Sequence, residues 1–191
     1  YFDQCDNREF IEKFVKGKSV LDAFCNSGGF GMHAAYAGAS SVTFVDSSET
    51  GIQNARSNFV MNGLKTSSEF ITDDVFSFLE SCAGQNRKFD VVILDPPAFA
   101  KSRKSLPSAI KGYVKLNKLA LKIVSENGFL ATSSCSHHLK QDEFINAVNS
   151  SSVKSNRKIQ LLHFNTASLD HPQLPAMEET SYLKFAVFRV V

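Results

Sequence analysis

The chain predicts an α/β fold, a doubly wound and mostly parallel sheet with antiparallel C-terminal edge strands. Three observations carry that expectation. Short apolar runs alternate with helical patterns along most of the chain. A glycine-rich turn or an acidic residue follows several of those runs, as at the ligand-binding edge of open α/β sheets. The last two apolar segments, Ile159–Phe164 and Tyr182–Val190, alternate apolar and polar residues, which suits an antiparallel pair.

Residues 8–16 have helical spacing, with Phe10, Ile11, Phe14 and Val15 on one face, and Lys16-Gly17-Lys18 ends them. Ser19–Asp22 reads as a strand. Gly28–Ala37 starts with glycines and continues with helix formers. Val42–Asp46 is the next strand, and Ser48–Asn62 the next helix, with Ile52, Ala55, Phe59 and Val60 apolar. Phe70-Ile71 is a strand, and Asp74 is placed to cap a helix over Val75–Ser81. Phe89–Leu94 and Phe129–Ser133 are strands around a helix over residues 110–125. A further helix covers residues 141–150, and the Ser-rich stretch 150–156 reads as a loop. No internal repeat is visible.

At 191 residues the chain fits one domain and can bury a sizeable core. Apolar content of 43% and charged content of 21% are ordinary for a globular protein, and no apolar run reaches the ~18–20 residues of a membrane span. The net charge of +2 is too small to argue for nucleic-acid binding by itself. A local basic cluster, Lys101, Arg103, Lys104 and Lys111, follows the Asp95 motif described below. Cys5, Cys25, Cys82 and Cys135 form no CxxC pair, so they read as free thiols in a reducing compartment, and the expected location is cytoplasmic. No metal is expected. The chain opens on Tyr1 rather than Met, which reads as a fragment.

Asp22-Ala23-Phe24-Cys25-Asn26-Ser27-Gly28-Gly29-Phe30 is a strand end, a tight loop and a helix start, the generic nucleotide-binding turn. Glycine has no Cβ, so a ligand can approach the backbone there. The loop matches neither GxGxxG nor a Walker pattern. Asp46, with Ser47, ends the next strand where a ribose diol is held, and Asp74 with the Val75 N–H is placed for an adenine edge. Acidic strand ends without a pyrophosphate site favour S-adenosylmethionine (SAM) over NAD. The candidate cofactor residues are therefore Asp22, Phe24, Asn26, Gly28, Gly29, Phe30, Asp46, Ser47, Asp74 and Val75. The bland alternative is that each Asp is only a helix N-cap.

Asp95-Pro96-Pro97-Ala98-Phe99 makes a rigid turn, because two prolines fix φ and remove two donors. Its carboxylate and carbonyls suit a planar base, on which Phe99 could stack. The turn alone does not distinguish an exocyclic nitrogen from a ring carbon. Ser134-Cys135-Ser136 narrows that choice. Carbon-5 of a pyrimidine is a poor nucleophile until a thiolate adds at carbon-6, and Asp95 is placed to stabilise charge at ring N3. The thiol needs a lowered pKa for this, which N–H dipoles at a strand end would help supply. The alternative is a buried inert Cys135, in an exocyclic-nitrogen or guanine-N7 RNA methyltransferase that uses the Asp-Pro-Pro turn or in an inactive SAM-fold RNA-binding module. His137 and His138 read as loop residues.

These motifs resemble the C-terminal catalytic domain of bacterial 23S rRNA (cytosine-5-)-methyltransferases of the RlmI type. The likeness runs over residues 2–191. It includes Phe2-Asp3-Gln4 with Asn7-Arg8, Gly28-Gly29-Phe30, Asp73-Asp74-Val75-Phe76, Asp95-Pro96-Pro97 with Phe99, Gly112-Tyr113, Ser134-Cys135-Ser136, Asp170-His171-Pro172 and Tyr182-Leu183-Lys184. The glycine turn and Asp-Pro-Pro recur in many methyltransferases; Ser-Cys-Ser with Tyr-Leu-Lys is far more specific. The resemblance implies a class I SAM-dependent (Rossmann-like) fold, an RNA substrate, 5-methylcytosine as product and Cys135 as nucleophile. It also implies an N-terminal PUA domain and a middle domain outside this chain, with residues 1–191 as the catalytic domain. Pro96, Pro97, Phe99 and Tyr182 are the candidate substrate contacts, and Arg103, Lys104, Tyr113 and Lys184 are further candidates for RNA. Two departures stand out: Cys5 replaces a usual Arg, and Pro97-Ala98 stands where many RNA cytosine-5 enzymes carry a second Cys. Oligomeric state stays open, a homodimer being one arrangement.

Overall fold

Strand β1 (Ser19–Ala23) is buried from Val20 to Ala23, as a strand flanked on both sides and covered on both faces must be. The computed structural model, which describes residues 2–100 and 102–191, builds the rest of the chain around it. Lys101 of the basic cluster lies outside the described residues. A 3-10 turn at Phe2–Gln4 leads into α1 (Cys5–Val15), which precedes β1. Then come α2 (Gly29–Tyr36), β2 (Ser41–Asp46), α3 (Glu49–Met61), β3 (Ser67–Thr72), α4 (Val75–Gly84) and β4 (Phe89–Leu94). The C-terminal part holds α5 (Leu106–Ile123), β5 (Val124–Ser134), α6 (Gln141–Ser155), β6 (Ile159–Asn165) and β7 (Lys184–Val190).

The seven strands run in the order β3-β2-β1-β4-β5-β7-β6. The first five are parallel, and β7 lies antiparallel to both β5 and β6. This is the class I SAM-dependent methyltransferase architecture. The chain turns outward from β1 to β3, then returns to place β4 on the other side of β1. That reversal makes the carboxyl ends of β1 and β4 the switch point, where open α/β sheets bind ligands.

Strand alternation splits the interior into two layers. Leu21, Val92, Leu94 and Leu130 face a core closed by α4, α5 and α6. Val20, Val91, Ile93 and Phe185 face the other, closed by α1, α2 and α3. In the second layer the Phe44 ring stacks on Phe70 with centroids 4.7 Å apart. Gly31 lies against the other side of Phe44, where an added Cβ would come within 2.2 Å of the ring.

Several boundaries differ from the sequence expectation. The Ser-rich stretch 150–156 is not a loop: α6 runs on to Ser155. Its serines bond within the helix and across to α5, Ser151 Oγ donating to the Ala147 carbonyl and to that of Val114 on α5, and Ser152 Oγ to Asn149. Burial of Ser151 and Ser152 then outweighs their weak propensity. Helix α5 starts four residues early, with Pro107 in its first turn, where a missing N–H costs nothing. Strand β3 extends well beyond Phe70-Ile71 because parallel pairing with β2 holds its polar residues. Strand β7 begins at Lys184 rather than Tyr182.

Gly31→Ala must displace the Phe44 ring from its stack. We expect a loss of about 1–3 kcal/mol in urea unfolding with an unchanged m-value. A variant as stable as the parent would show that the contact relaxes without cost.

Candidate active site

The loop after β1 turns by alternating left-handed residues: Phe24 at φ 62°, Asn26 at 47° and Gly28 at 84°. Asparagine and glycine take this region readily, but an aromatic side chain there is strained, and such strain concentrates at working sites. The loop is held from three sides. Asp22 Oδ2 accepts from the Gly31 N–H at 2.7 Å, Asp46 Oδ2 accepts from the Asn26 N–H at 2.8 Å, and Asn58 Nδ2 donates to the Ser27 carbonyl at 3.2 Å. The Arg8 guanidinium lies directly over Gly29, where a Cβ would stand 2.8 Å from Nε.

The three acidic strand ends have different jobs. Asp74 is the N-cap of α4: Oδ1 accepts from the Ser77 N–H at 2.9 Å. Asp46 is not a cap, because Ser48 caps α3; its two oxygens accept from the Asn26 and Ser48 backbone instead. Asp22 is 1% exposed, and its Oδ1 is buried with no hydrogen bond among the described residues. Burial pushes its carboxyl up to about 7 despite the Gly31 bond. Ser47 is exposed beside Asp46, Phe30 is buried, and Val75 is buried behind Asp74.

Strands β4 and β5 pair in parallel up to Leu94↔Thr132. Their next residues, Asp95 and the Ser133–Cys135 segment, therefore share one cleft. Asp95 Oδ1 accepts from Ser133 Oγ and from Gln4 Nε2, the latter at 3.0 Å. Burial raises the Asp95 pKa, and these two bonds offset it only in part. Gln4 is itself fixed: Asn7 Nδ2 donates to Gln4 Oε1 at 2.7 Å, and Asn165 Nδ2 donates to Asn7 Oδ1 at 2.8 Å. An N-terminal segment and the end of β6 thus hold the β4 carboxylate through buried amides. Asp3, Gln4, Asn7 and Ser133 were not individually assigned from sequence. The clustering of Phe2-Asp3-Gln4 with Asn7-Arg8 was visible, but its target was not.

Ser-Cys-Ser has a structural logic. Ser134 Oγ donates to the Tyr113 hydroxyl at 2.8 Å, and Ser136 Oγ lies 3.2 Å from the same hydroxyl. Both serines are buried, and alternation leaves Cys135 half-buried between them with Sγ 3.9 Å from the Pro96 carbonyl. The expected lowering of the thiol pKa is not found. Burial raises it, the Asp95 charge adds to that, and Lys184 opposes it.

Other candidates land differently. Pro96 is buried and Pro97 exposed. The Phe99 ring packs on Tyr113 at 4.7 Å and against Gly112, so it is half-buried and one face is covered by protein. Tyr182 donates to Asp3 Oδ2 at 2.7 Å, and its hydroxyl pKa is pushed up to about 12 by partial burial and that carboxylate. Tyr113 and Lys184, read from sequence as RNA contacts, are buried, whereas Arg103 and Lys104 are exposed. A groove of about 1010 Å³ runs from Arg8 and Gly29 at the edge of the loop after β1 along α1 and α2, past Lys13, His33 and Tyr36. No metal-binding cluster and no helix long and apolar enough to cross a membrane occurs among the described residues. The four cysteines are free.

The family model described as conserved hypothetical protein 95 matches residues 2–158. The "Ribosomal RNA large subunit methyltransferase I" of Shewanella denitrificans is 40% identical over 191 residues, all of this chain and 48% of that protein. The chain thus spans about half the length of the curated relatives it matches. Among solved structures, SMU.776, described as a methyltransferase and complexed with SAH, superposes with a TM-score of 0.88 at 25% identity, over 99% of this chain and 50% of that one. A protein of Streptococcus mutans described as a SAM-dependent methyltransferase gives the same score at 26% identity, covering 99% and 49%.

Ionised Asp22 is disfavoured in the fold. Its pKa of about 7 exceeds the ordinary 3.8, so its contribution to stability is full below about 3.8 and is lost as pH rises through about 7. Asp22→Asn removes that share. Measured by urea unfolding, the stability of the variant relative to the parent should improve between about pH 4 and pH 7 by on the order of 4 kcal/mol. A difference independent of pH would contradict the burial argument.

Proposed function

The chain belongs to the conserved hypothetical protein 95 family, and we propose that it is the catalytic domain, residues 1–191, of a SAM-dependent RNA methyltransferase that forms 5-methylcytosine in 23S rRNA. One observation carries the reading: parallel pairing of β4 with β5 brings the Asp95 carboxyl and the Cys135 thiol to one cleft, with Sγ beside the Pro96 carbonyl. The names of the relatives support an RNA substrate, and the complex of a similar structure with SAH supports the cofactor. A cytoplasmic location fits free thiols and that substrate.

The residues at the switch point fit SAM. Buried Asp22 Oδ1 is left without a partner among the described residues, and each Asp46 oxygen keeps accepting capacity beyond its one backbone bond. Asp22 and the Phe24–Phe30 loop, Asp46 with Ser47, and Asp74 with Val75 would hold it. When bound, the cofactor supplies a methyl group to carbon-5.

The chain's own residues prepare the base. The Cys135 thiolate forms a bond to carbon-6, and the electron pair of the carbon-5–carbon-6 double bond moves into the ring. Asp95, kept protonated to higher pH by burial, donates its proton at N3. Carbon-5 is then enamine-like. Solvent takes the carbon-5 proton, the C–H electron pair re-forms the carbon-5–carbon-6 double bond as the thiolate departs, and the N3 proton returns to Asp95. Pro96, Pro97, Phe99 and Tyr182 would border the base, and exposed Arg103 and Lys104 offer charge to the backbone.

The test is incubation of the full-length protein with SAM and unmodified rRNA, followed by nucleoside mass spectrometry. We expect 5-methylcytosine, complete loss of product with Cys135→Ser, and a fall of about 10²–10⁴-fold in rate with Asp95→Asn. A methylated guanine or adenine as product, or full turnover by Cys135→Ser, would overturn the assignment.

A further inference from the structure

Lys184 is the only buried lysine among the described residues, 4% exposed at the first position of β7 and paired in register with Ser134. Its Nζ donates to the carbonyls of Ser136 and Tyr182, each at 2.7 Å. Both acceptors are neutral. No carboxylate among the described residues lies within ion-pair distance of this ammonium. A buried cation held only by carbonyls is costly, and buried charges are ordinarily paired. The anion that the site can generate is the thiolate of Cys135, the residue next to Ser136.

We propose that Lys184 is a positioning residue for Cys135: its ammonium pins the Cys135-Ser136 backbone and supplies the counter-charge that the thiolate requires. The inference rests on the reading of Cys135 as the nucleophile.

The surrounding charges leave that task to Lys184. Around the thiol stand Asp95 at the end of β4, Asp3 of the N-terminal turn, Tyr182 ahead of β7, Tyr113 of α5 and Lys184 of β7, with Glu143 of α6 acting on Lys184. Asp95 and Asp3 oppose ionisation of the thiol, and Lys184 favours it. Reciprocally, burial depresses the Lys184 pKa to about 8, and Cys135 pulls it back up. Below about pH 8 the ammonium holds its own proton, so there a thiol proton that leaves goes to solvent.

The hydrogen bond to Ser136 adds a geometric role. That carbonyl also accepts from the Leu139 N–H at 3.1 Å, so it is the anchor of the turn that follows Cys135. A lysine contacting RNA would be exposed, whereas Lys184 reaches inward.

The experiment is iodoacetamide alkylation of the full chain against pH, with modification at Cys135 read by peptide mass spectrometry. It needs neither SAM nor RNA. Lys184→Met, confirmed folded by circular dichroism, should cut the Cys135 alkylation rate near pH 7.5 about tenfold and move the rate profile about one unit up in pH. Lys184→Arg, which keeps the charge, should recover part of both. An unmoved profile in folded Lys184→Met overturns the proposal. If Lys184→Met does not fold, Cys135→Ser replaces it. By 13Cε NMR the Lys184 amine should then titrate at lower pH than in the parent, and an unchanged titration overturns the proposal. These outcomes are independent of turnover. A shifted profile with full methyl transfer by Cys135→Ser would sink the catalytic reading alone.

Discussion

The site depends on the parallel pairing of β4 with β5. A parallel pair runs both chains to the same edge, so the residues after Leu94 and Thr132 must emerge together. Two segments far apart in sequence thereby meet without any loop having to search for its partner. Had β5 been antiparallel to β4, Cys135 would lie at the opposite edge, beside the polar groove around Ser41, Ser68 and Arg87. Adjacency of β1 then brings the Asp22 loop to the same cleft, because Ala23 pairs with Leu94. Strand β7, antiparallel to β5, delivers Lys184 opposite Ser134 at this edge too. One sheet edge therefore gathers a carboxyl, a thiol, an ammonium and a strained loop.

Gathering them costs stability. Asp22 and Asp95 are carboxyls that burial disfavours as anions, and Phe24 is held in a left-handed conformation. The opposing contributions come from apolar layers on both faces of the sheet and from a clamp at the N-terminus. Gln4 and Asn7 connect Asp95 to Asn165, so the first helix and the end of β6 close over the β4 turn. Buried amides suit this better than charges, since each can donate and accept without a desolvated ion.

The sheet was legible because strand runs, helix starts and acidic strand ends are local signals. Where the expectation missed, a non-local contact decided. Ser151 reads as a loop former until α6 packs on α5 and its hydroxyl finds the Val114 carbonyl. Tyr113 and Lys184 read as surface groups because their types usually are; only the fold shows that one locks two serines and the other holds the carbonyl next to a thiol. Cys135 was visible as a position, but its electrostatic surroundings were not, since they come from three other elements. The support of Asp95 by Gln4 spans 91 residues, beyond the reach of any periodicity.

The raised pKa values of Cys135 and Asp95 look at first like an obstacle to the proposed chemistry. They are better understood together. Each group's negative charge disfavours the other's, so the cleft tolerates one anion more readily than two. Placing that charge on sulfur leaves Asp95 protonated, which is the form an acid at ring N3 must have. Placing it on Asp95 leaves a neutral thiol and no reaction. The buried Lys184 ammonium favours placing it on sulfur, since its charge acts to lower the thiol pKa. Division of labour between nucleophile and acid thus follows from one repulsion and one nearby cation, without either group needing an ordinary pKa.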